Sequence, residues 1–454
     1  MTSGSAGGRA GKTSPPNGDL GPAVRRAPFG DNPTVGERGQ QAQQRILSAA
    51  LKIFGDVGYH QCRVHLITEL AGCSRVSFYQ YFSSKEDLFR QLAGTVAERL
   101  AESIDQLESI TPDAAGREAL VGYFERYSAI YNEYQPIFVA FQTAASADQT
   151  MAEGGHRVGL RVLARLEAKV AGSPLRGAGL QNTLRTIVES AVRANRLREL
   201  VEQGEPPVRL ASTRLNVALA DVAHRALFGA LPGINLITPA RRSRVFPAEQ
   251  TVAVTNATGA GDGGTDGPGR GAGGVQTRAA ILEAGDRVYS ERGYYGTRVD
   301  DIVRVAGVSH GVFYRYFKNK DELFRLLALK ASDRFTSATD ALGELDLDAS
   351  DARAQFRAWL QDYAHQCAEA AAIMRVWIDA ITRDPQLGSD SAKVIRDGCR
   401  GPLALLARRG DGDSEPEAMV MLVLLEELTS SVPSARRIDG VGGVIERSLL
   451  FLDV

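Results

Sequence analysis

Long hydrophobic runs are missing from this 454-residue chain. None approaches the roughly 18 to 20 apolar residues that crossing a bilayer takes, so no membrane span is expected. The N-terminus has Gly, Pro and Ser but no apolar stretch, which excludes an ordinary secretory signal and points to the cytoplasm. Cysteine is scarce as well. Cys62, Cys73, Cys367 and Cys399 show no CxxC or metal-ligand spacing, which leaves inert thiols in a reducing compartment. Nor does charge of one sign dominate: 53 Lys and Arg stand against 54 Asp and Glu, a formal net of −1. A broad basic face is thereby excluded as a source of nucleic-acid affinity. The six histidines (His60, His65, His156, His224, His310, His365) form no HExxH, and no nucleophile elbow occurs. Two GxGxxG matches, Gly259 to Gly264 and Gly269 to Gly274, have no adjacent preceding strand, and glycine density alone explains them. Enzymatic chemistry and a bound cofactor are not expected.

What is present is a repeat. From Ile46 to Arg90, 19 of 45 residues are identical to the residue 235 positions on, without a gap. The first copy has six basic and four acidic residues between Ala42 and Gln91; the second has nine and seven between Val275 and Arg325. Each copy nets only about +2, so any affinity for an anion must come from a few placed contacts. The chain is too long for one ordinary core, and its 44% apolar, 7% aromatic composition suits helices.

The periodicity predicts an all-α fold in two tandem units. Residues 1–40 lack any period and read as a disordered tail, in which Arg25, Arg26 and Arg38 form either a minor-groove arm or a solubilising surface. Ile46, Ala49, Ala50, Ile53, Phe54 and Val57 recur at helical steps, and Gly58 then fits a left-handed cap. A second helix over Arg63 to Leu70 meets the turn Ala71-Gly72-Cys73, and Ser74 caps a third. Ser84 with Asp87, and Asn319 with Glu322, have capping-box spacing at the start of a long fourth helix. These elements form a three-helix domain over 41–101, followed by a helical body over 102–237. Its helices are expected near Tyr123 to Phe141, His156 to Val170, Leu180 to Leu200 and Ser212 to Leu231. Residues 238–274 read as a Gly-rich linker; a flexible coil of that length spans roughly 30 to 35 Å, about one turn of DNA between half-sites. The second unit repeats the plan over 275–335 and 336–454. Helices are expected there near Ala352 to Ile381, Ser391 to Ala407, Glu415 to Ser430 and Val441 to Leu452.

In each copy a Gly-Tyr pair ends the first helix (Gly58-Tyr59, Gly293-Tyr294), and Ala-Gly-x-Ser forms the turn (Ala71 to Ser74, Ala306 to Ser309). Phe-Tyr-x-Tyr-Phe follows (Phe78 to Phe82, Phe313 to Phe317), then Lys-acid-acid-Leu-Phe (Lys85 to Phe89, Lys320 to Phe324). These motifs resemble the DNA-binding domain of the tetracycline-repressor (TetR) family, over about a fifth of the chain. The resemblance implies a helix-turn-helix transcriptional regulator, by family default a repressor, that binds a double-stranded DNA operator and responds to a small ligand in its helical body. It also implies that Tyr79, Tyr314, Lys85 and Lys320 contact phosphates.

The residues themselves agree. Phe78 and Phe82, like Phe313 and Phe317, are spaced to face a core, leaving Arg75 and Tyr79, or His310 and Tyr314, on another face. A short helix presented that way fits the major groove, ~12 Å wide, where an arginine fork can read guanine. Expected contacts in the first copy are Arg63, Ser74, Arg75, Val76, Ser77, Tyr79 and Lys85. In the second they are Thr297, Arg298, Ser309, His310, Gly311, Val312, Tyr314 and Lys320, with Thr297 also a helix cap. The copies differ where specificity resides: Ser-Arg-Val-Ser against Ser-His-Gly-Val, with Val76 where the family commonly has Gly. A histidine is mostly uncharged at neutral pH, so the second reader is expected to be the weaker. Unlike readers on one chain predict an asymmetric operator.

Aromatic residues at helical spacing (Tyr123, Tyr127, Tyr131 and Phe138; then Phe356, Trp359, Tyr363 and Trp377) either line cavities for a hydrophobic effector or pack as core. Leu215, Leu219, Val222 and Ala226 make a narrow apolar seam. Assembly is then either an intrachain pseudo-dimer or a homodimer. The alternative function is a ligand-binding or scaffolding descendant of a TetR regulator with one or both readers silent.

Overall fold

The computed structural model describes residues 36–147, 149–203, 210–230, 272–381, 385–409, 413–429 and 434–452. The tail up to residue 35 and nearly all of the Gly-rich linker lie outside them. Among the described residues the fold is all-α, with one isolated bridge between Ile110 and Val170. No helix among them is long and apolar enough to cross a membrane.

The first unit comprises α1 (Glu37–Val57), α2 (Val64–Leu70), α3 (Arg75–Tyr81) and α4 (Lys85–Asp105), then α5 (Ala114–Ala147), α6 (Gln149–Lys169), α7 (Gly177–Gln203) and α8 (Ser212–Phe228). Helix α1 buries the expected stripe, Ile46, Ala49, Ala50 and Phe54. It begins inside the predicted tail, because the polar run after Gly36 continues the helix on its solvent face. Gly58 ends it with φ 75°, a conformation that a side chain disfavours. Ser84 Oγ accepts from the Asp87 N–H (3.1 Å), but the Asp87 carboxylate takes the Ser83 N–H (2.8 Å), one residue before the expected partner. In α5 the backbone breaks at Tyr134 (φ −115°, ψ 20°), since Pro136 has no N–H to close that turn.

The second unit runs through α9 (Ala272–Gly296), α10 (Val299–Ala306), α11 (His310–Tyr316), α12 (Lys320–Leu342), α13 (Ala352–Ala380), α14 (Pro385–Gly398), α15 (Arg400–Arg409), α16 (Ser414–Glu426) and α17 (Ala435–Ile445). A π turn, Glu446–Leu450, follows. The single segment expected over Ser391 to Ala407 is two helices. Pro402 cannot donate to the Gly398 carbonyl, so the chain turns at Cys399 and starts again.

Each head has its own core. Phe54, Phe78, Phe82 and Phe89 pack with Ile137 and Ala140 of α5. Their counterparts Tyr289, Phe313, Phe317 and Phe324 pack with Ile373, Val376 and Trp377 of α13. The bodies, by contrast, share one continuous core that joins α5 and α8 to α16 and α17. Leu215, Leu219, Val222 and Ala226 lie in it, on a helix buried nearly all round rather than along a narrow seam. Polar clamps cross the same junction. Glu417, 3% exposed, accepts from buried Arg225 (2.7 Å) and half-buried Arg409 (2.5 Å). Removing one member of such a buried set leaves an uncompensated charge, at a cost of about 3 to 5 kcal/mol. Arg214 forks onto Asp413 (2.9 and 2.7 Å), and Arg447 donates to the Ala226 carbonyl (3.0 Å) and to Thr183 Oγ1 (3.1 Å). The two heads touch where the rings of His60 and Tyr295 lie 5.4 Å apart.

Candidate nucleic-acid interface

In each head a short helix, a turn and a second short helix present one face outward. Gly72 (φ 63°) and Gly307 (φ 65°) make the turn. Ser74 Oγ then accepts from the Ser77 N–H (3.0 Å) and Ser309 Oγ from the Val312 N–H (3.3 Å), starting α3 and α11. Phe78, Phe82, Phe313 and Phe317 are buried and fix which way each helix faces. The opposite faces are open: Val76 is 72% exposed, Tyr79 48% and Tyr314 55%. Arg63, Ser74, Arg75, Arg298, Ser309, His310 and Gly311 are exposed too, with Ser77 and Val312 half-buried.

One expectation needs correction, and two residues have a role besides the expected one. Thr297 is 1% exposed, and its hydroxyl donates to the Gly293 carbonyl (2.8 Å). It neither caps α10, whose N-cap is Arg298, nor reaches solvent where DNA would lie. Lys85 Nζ donates to the Tyr59 carbonyl (3.0 Å) and sits 4.3 Å from that ring's centre; Lys320 Nζ donates to the carbonyls of Tyr294 (2.7 Å) and Thr297 (2.9 Å). These lysines tie the start of the fourth helix to the turn after the first, because the last carbonyls of a helix lack intrahelical partners. Any phosphate contact they make is shared with that role.

The readers differ in more than sequence. Among the described residues Arg75 has no hydrogen-bond or ion-pair partner, so its guanidinium is available. His310 Nε2 lies 2.7 Å from Asp300 Oδ1 on α10, and that bond holds the Asp300 carboxyl below the usual carboxylate range. Asp300 was not among the expected site residues. The signal was available: where the second copy has Asp300 and His310, the first has His65 and Arg75, so the two differences fall on facing positions.

The aromatic candidates lie within the bodies. Tyr123, Tyr127 and Tyr131 are at most 3% exposed; the Tyr123 ring contacts that of Tyr127, and Tyr127 and Tyr131 both contact Phe138. Burial pushes all three hydroxyls up, so they stay protonated. Phe356 and Tyr363 are equally buried, and half-buried Trp359 donates its indole N–H to the Ala338 carbonyl (3.1 Å). Trp377 adjoins a cavity. The cysteines are free; Cys62 and Cys367 are both pushed up to about 11 by burial. No group of acidic, His and Cys residues suited to a metal occurs among the described residues.

Residues 46–92 and 281–327 both match the family model of bacterial regulatory proteins, tetR family. A Bacillus subtilis protein named as an uncharacterised HTH-type transcriptional regulator, YdgC, is 24% identical over 35% of this chain and 82% of its own length. The HTH-type transcriptional regulator TtgR of Pseudomonas putida is 36% identical over 16% of this chain, and the match spans 35% of that relative. Among solved structures, a tetR-family transcriptional regulator from Streptomyces coelicolor shows 19% identity over 41% of this chain and 81% of its own, with a TM-score of 0.33. These relatives are transcriptional regulators, not enzymes. The helix-turn-helix unit of the tetR family of bacterial regulatory proteins is thus matched at both copies of the repeat, and the chain carries that unit twice.

Proposed function

We propose that this chain is a ligand-responsive DNA-binding regulator, a repressor by family default, whose two unlike readers address an operator with unlike halves. The observation that carries this reading is the contrast between Arg75, free on an exposed face, and His310, held by Asp300 at the same place in the other head. An arginine fork discriminates a guanine by ~1 to 3 kcal/mol, whereas a histidine already bonded to a carboxylate brings less to a base and sets a negative charge beside the phosphates. The bodies, joined through α8, α16 and α17, act as an intrachain pseudo-dimer, so that one chain supplies both readers. A ligand acts by preferring the arrangement of heads that does not fit DNA. Domain limits follow the repeat, with heads over 41–101 and 275–335.

Nuclease footprinting of the purified chain on its own upstream DNA tests this. Arg75→Ala should weaken binding by about 10- to 100-fold and erase protection of one half-site. His310→Ala should change binding by less than about threefold, because its contribution is small. A perfect inverted repeat needing both residues equally would refute unlike readers. Unchanged affinity in both variants with no salt dependence would favour the scaffolding alternative.

A further inference from the structure

A cavity of about 90 Å³ opens where α7 of the first unit meets α12, α13, α14 and α16 of the second. Leu200, Phe335, Ile395 and Leu422 give it mostly apolar walls. Two of the residues that line it, Trp377 and Glu426, each hold a polar atom that is buried without a partner among the described residues. Among the described residues the Trp377 Nε1–H has no acceptor and Glu426 Oε2 has no donor. Buried polar atoms are nearly always bonded in folded proteins, so a donor and an acceptor left unsatisfied on two residues that line one cavity point to an absent molecule that reaches them as the cavity opens. The charges around Glu426 narrow its chemistry. Burial raises the Glu426 carboxyl, Arg193 and Arg196 act against that rise, and Arg196 itself reaches the cavity wall. A further cation there would meet two guanidinium groups, and an anion would meet Glu426.

We propose that this cavity binds a neutral, compact, mainly apolar molecule bearing one N–H or O–H donor for Glu426 and one acceptor for Trp377. For its consequence the proposal rests on the ligand-responsive reading above. Of the aromatic residues expected to line cavities only Trp377 is on it; Leu197 and Leu200 come from the first unit and the remaining apolar walls from the second. An effector of ordinary size needs roughly 300 Å³ or more, so it enters only as α7 and the second body part. Trp377 also belongs to the core that seats the second head. Filling the cavity therefore pushes on α13 and shifts that head relative to the first.

The chain has two tryptophans, which makes the test direct. In full-length Trp359→Phe protein, Trp377 fluorescence is titrated with benzamide, which carries a donor and an acceptor, and with toluene, benzylamine and benzoate. Benzamide should saturate the signal at least about tenfold more tightly than the other three. On the same background, Glu426→Leu should weaken benzamide at least about tenfold, Glu426→Gln should restore most of it, and Leu200→Arg should abolish it. Equal affinity for the four probes, or benzamide binding indifferent to Glu426→Leu and Leu200→Arg, overturns the site, as does a complete lack of binding. Should benzamide bind as described while affinity for the footprinted DNA stays constant, the site stands and the ligand-responsive reading falls.

Discussion

At position 310 a neighbour decides what the side chain can do. Arg75 and His310 occupy equivalent positions on equally exposed helices, yet only His310 faces a carboxylate, that of Asp300. Asp300→Ala should therefore free the histidine and remove a negative charge from the face turned to DNA. The expected result is a three- to tenfold gain in affinity for the weaker half-site, shrinking as salt is raised, since screening suppresses contacts between exposed charges. Titrating labelled operator at 50 and 200 mM salt measures it, and a loss of affinity would show that Asp300 orients His310 for reading instead. The pairing was half legible. His310 stood out because the first copy has Arg75, but the partner sits ten residues earlier on a different helix, and only folding brings them together. Thr297 was misread for a related reason: a hydroxyl before a helix suggests a cap, and the competing Gly293 carbonyl belongs to a turn whose shape the sequence does not display.

Among the elements, α7, α16 and α17 bring a second set of charged groups to the junction. Glu427, just past α16, is 3% exposed, and its carboxyl is pushed up to about 7 by burial first and by Glu189 next, against Arg193, Arg437 and Arg185. A carboxyl raised in the folded state binds its proton more tightly there than when unfolded. Its contribution is complete below the ordinary carboxyl value near 4.5 and is lost as pH rises through 7. Relative to Glu427→Gln, the natural chain should lose about 2 to 3 kcal/mol between pH 5 and 8. Urea unfolding of both proteins at the two pH values checks this. Subtracting the variant removes the opposite trend from His60 and His224, whose pKa values burial lowers. A constant difference would mean that Glu427 stays charged throughout. The helices themselves were legible wherever an apolar stripe met a cap, as at Ile46 to Gly58 and Ser74 to Phe82. They were misjudged where a proline acts within a periodic segment, at Pro136 and Pro402. Apolar spacing gave no warning of those breaks, because the residues on both sides still face a core.

For the molecule as a whole, the question is what holds the two units together. From sequence the Gly-rich linker was the visible connection, with an expected reach that suited half-sites one turn apart, and packing of the two bodies was one of two open alternatives. The structure adds a second and stronger one: a common core with Glu417 buried between Arg225 and Arg409 and the Arg214 fork on Asp413. Little of this was readable in advance, since Arg225 and Glu417, like Arg214 and Asp413, are about 200 residues apart and α8 shows only one apolar stripe on its own. If the shared core determines where the heads sit, the linker contributes connection but not spacing. Cutting a protease site inserted between residues 245 and 265 should then leave the halves co-eluting in gel filtration. Operator affinity should stay within about threefold, because a contact surface of this kind persists without the tether. The same experiment fixes the stoichiometry expected of an intrachain pseudo-dimer, one chain per operator by light scattering of the complex. If the cut halves separate at micromolar concentration, or if two chains occupy one operator, the readers are spaced by the linker or by a partner chain, and the asymmetry of the site must be explained by two copies of each reader instead of one.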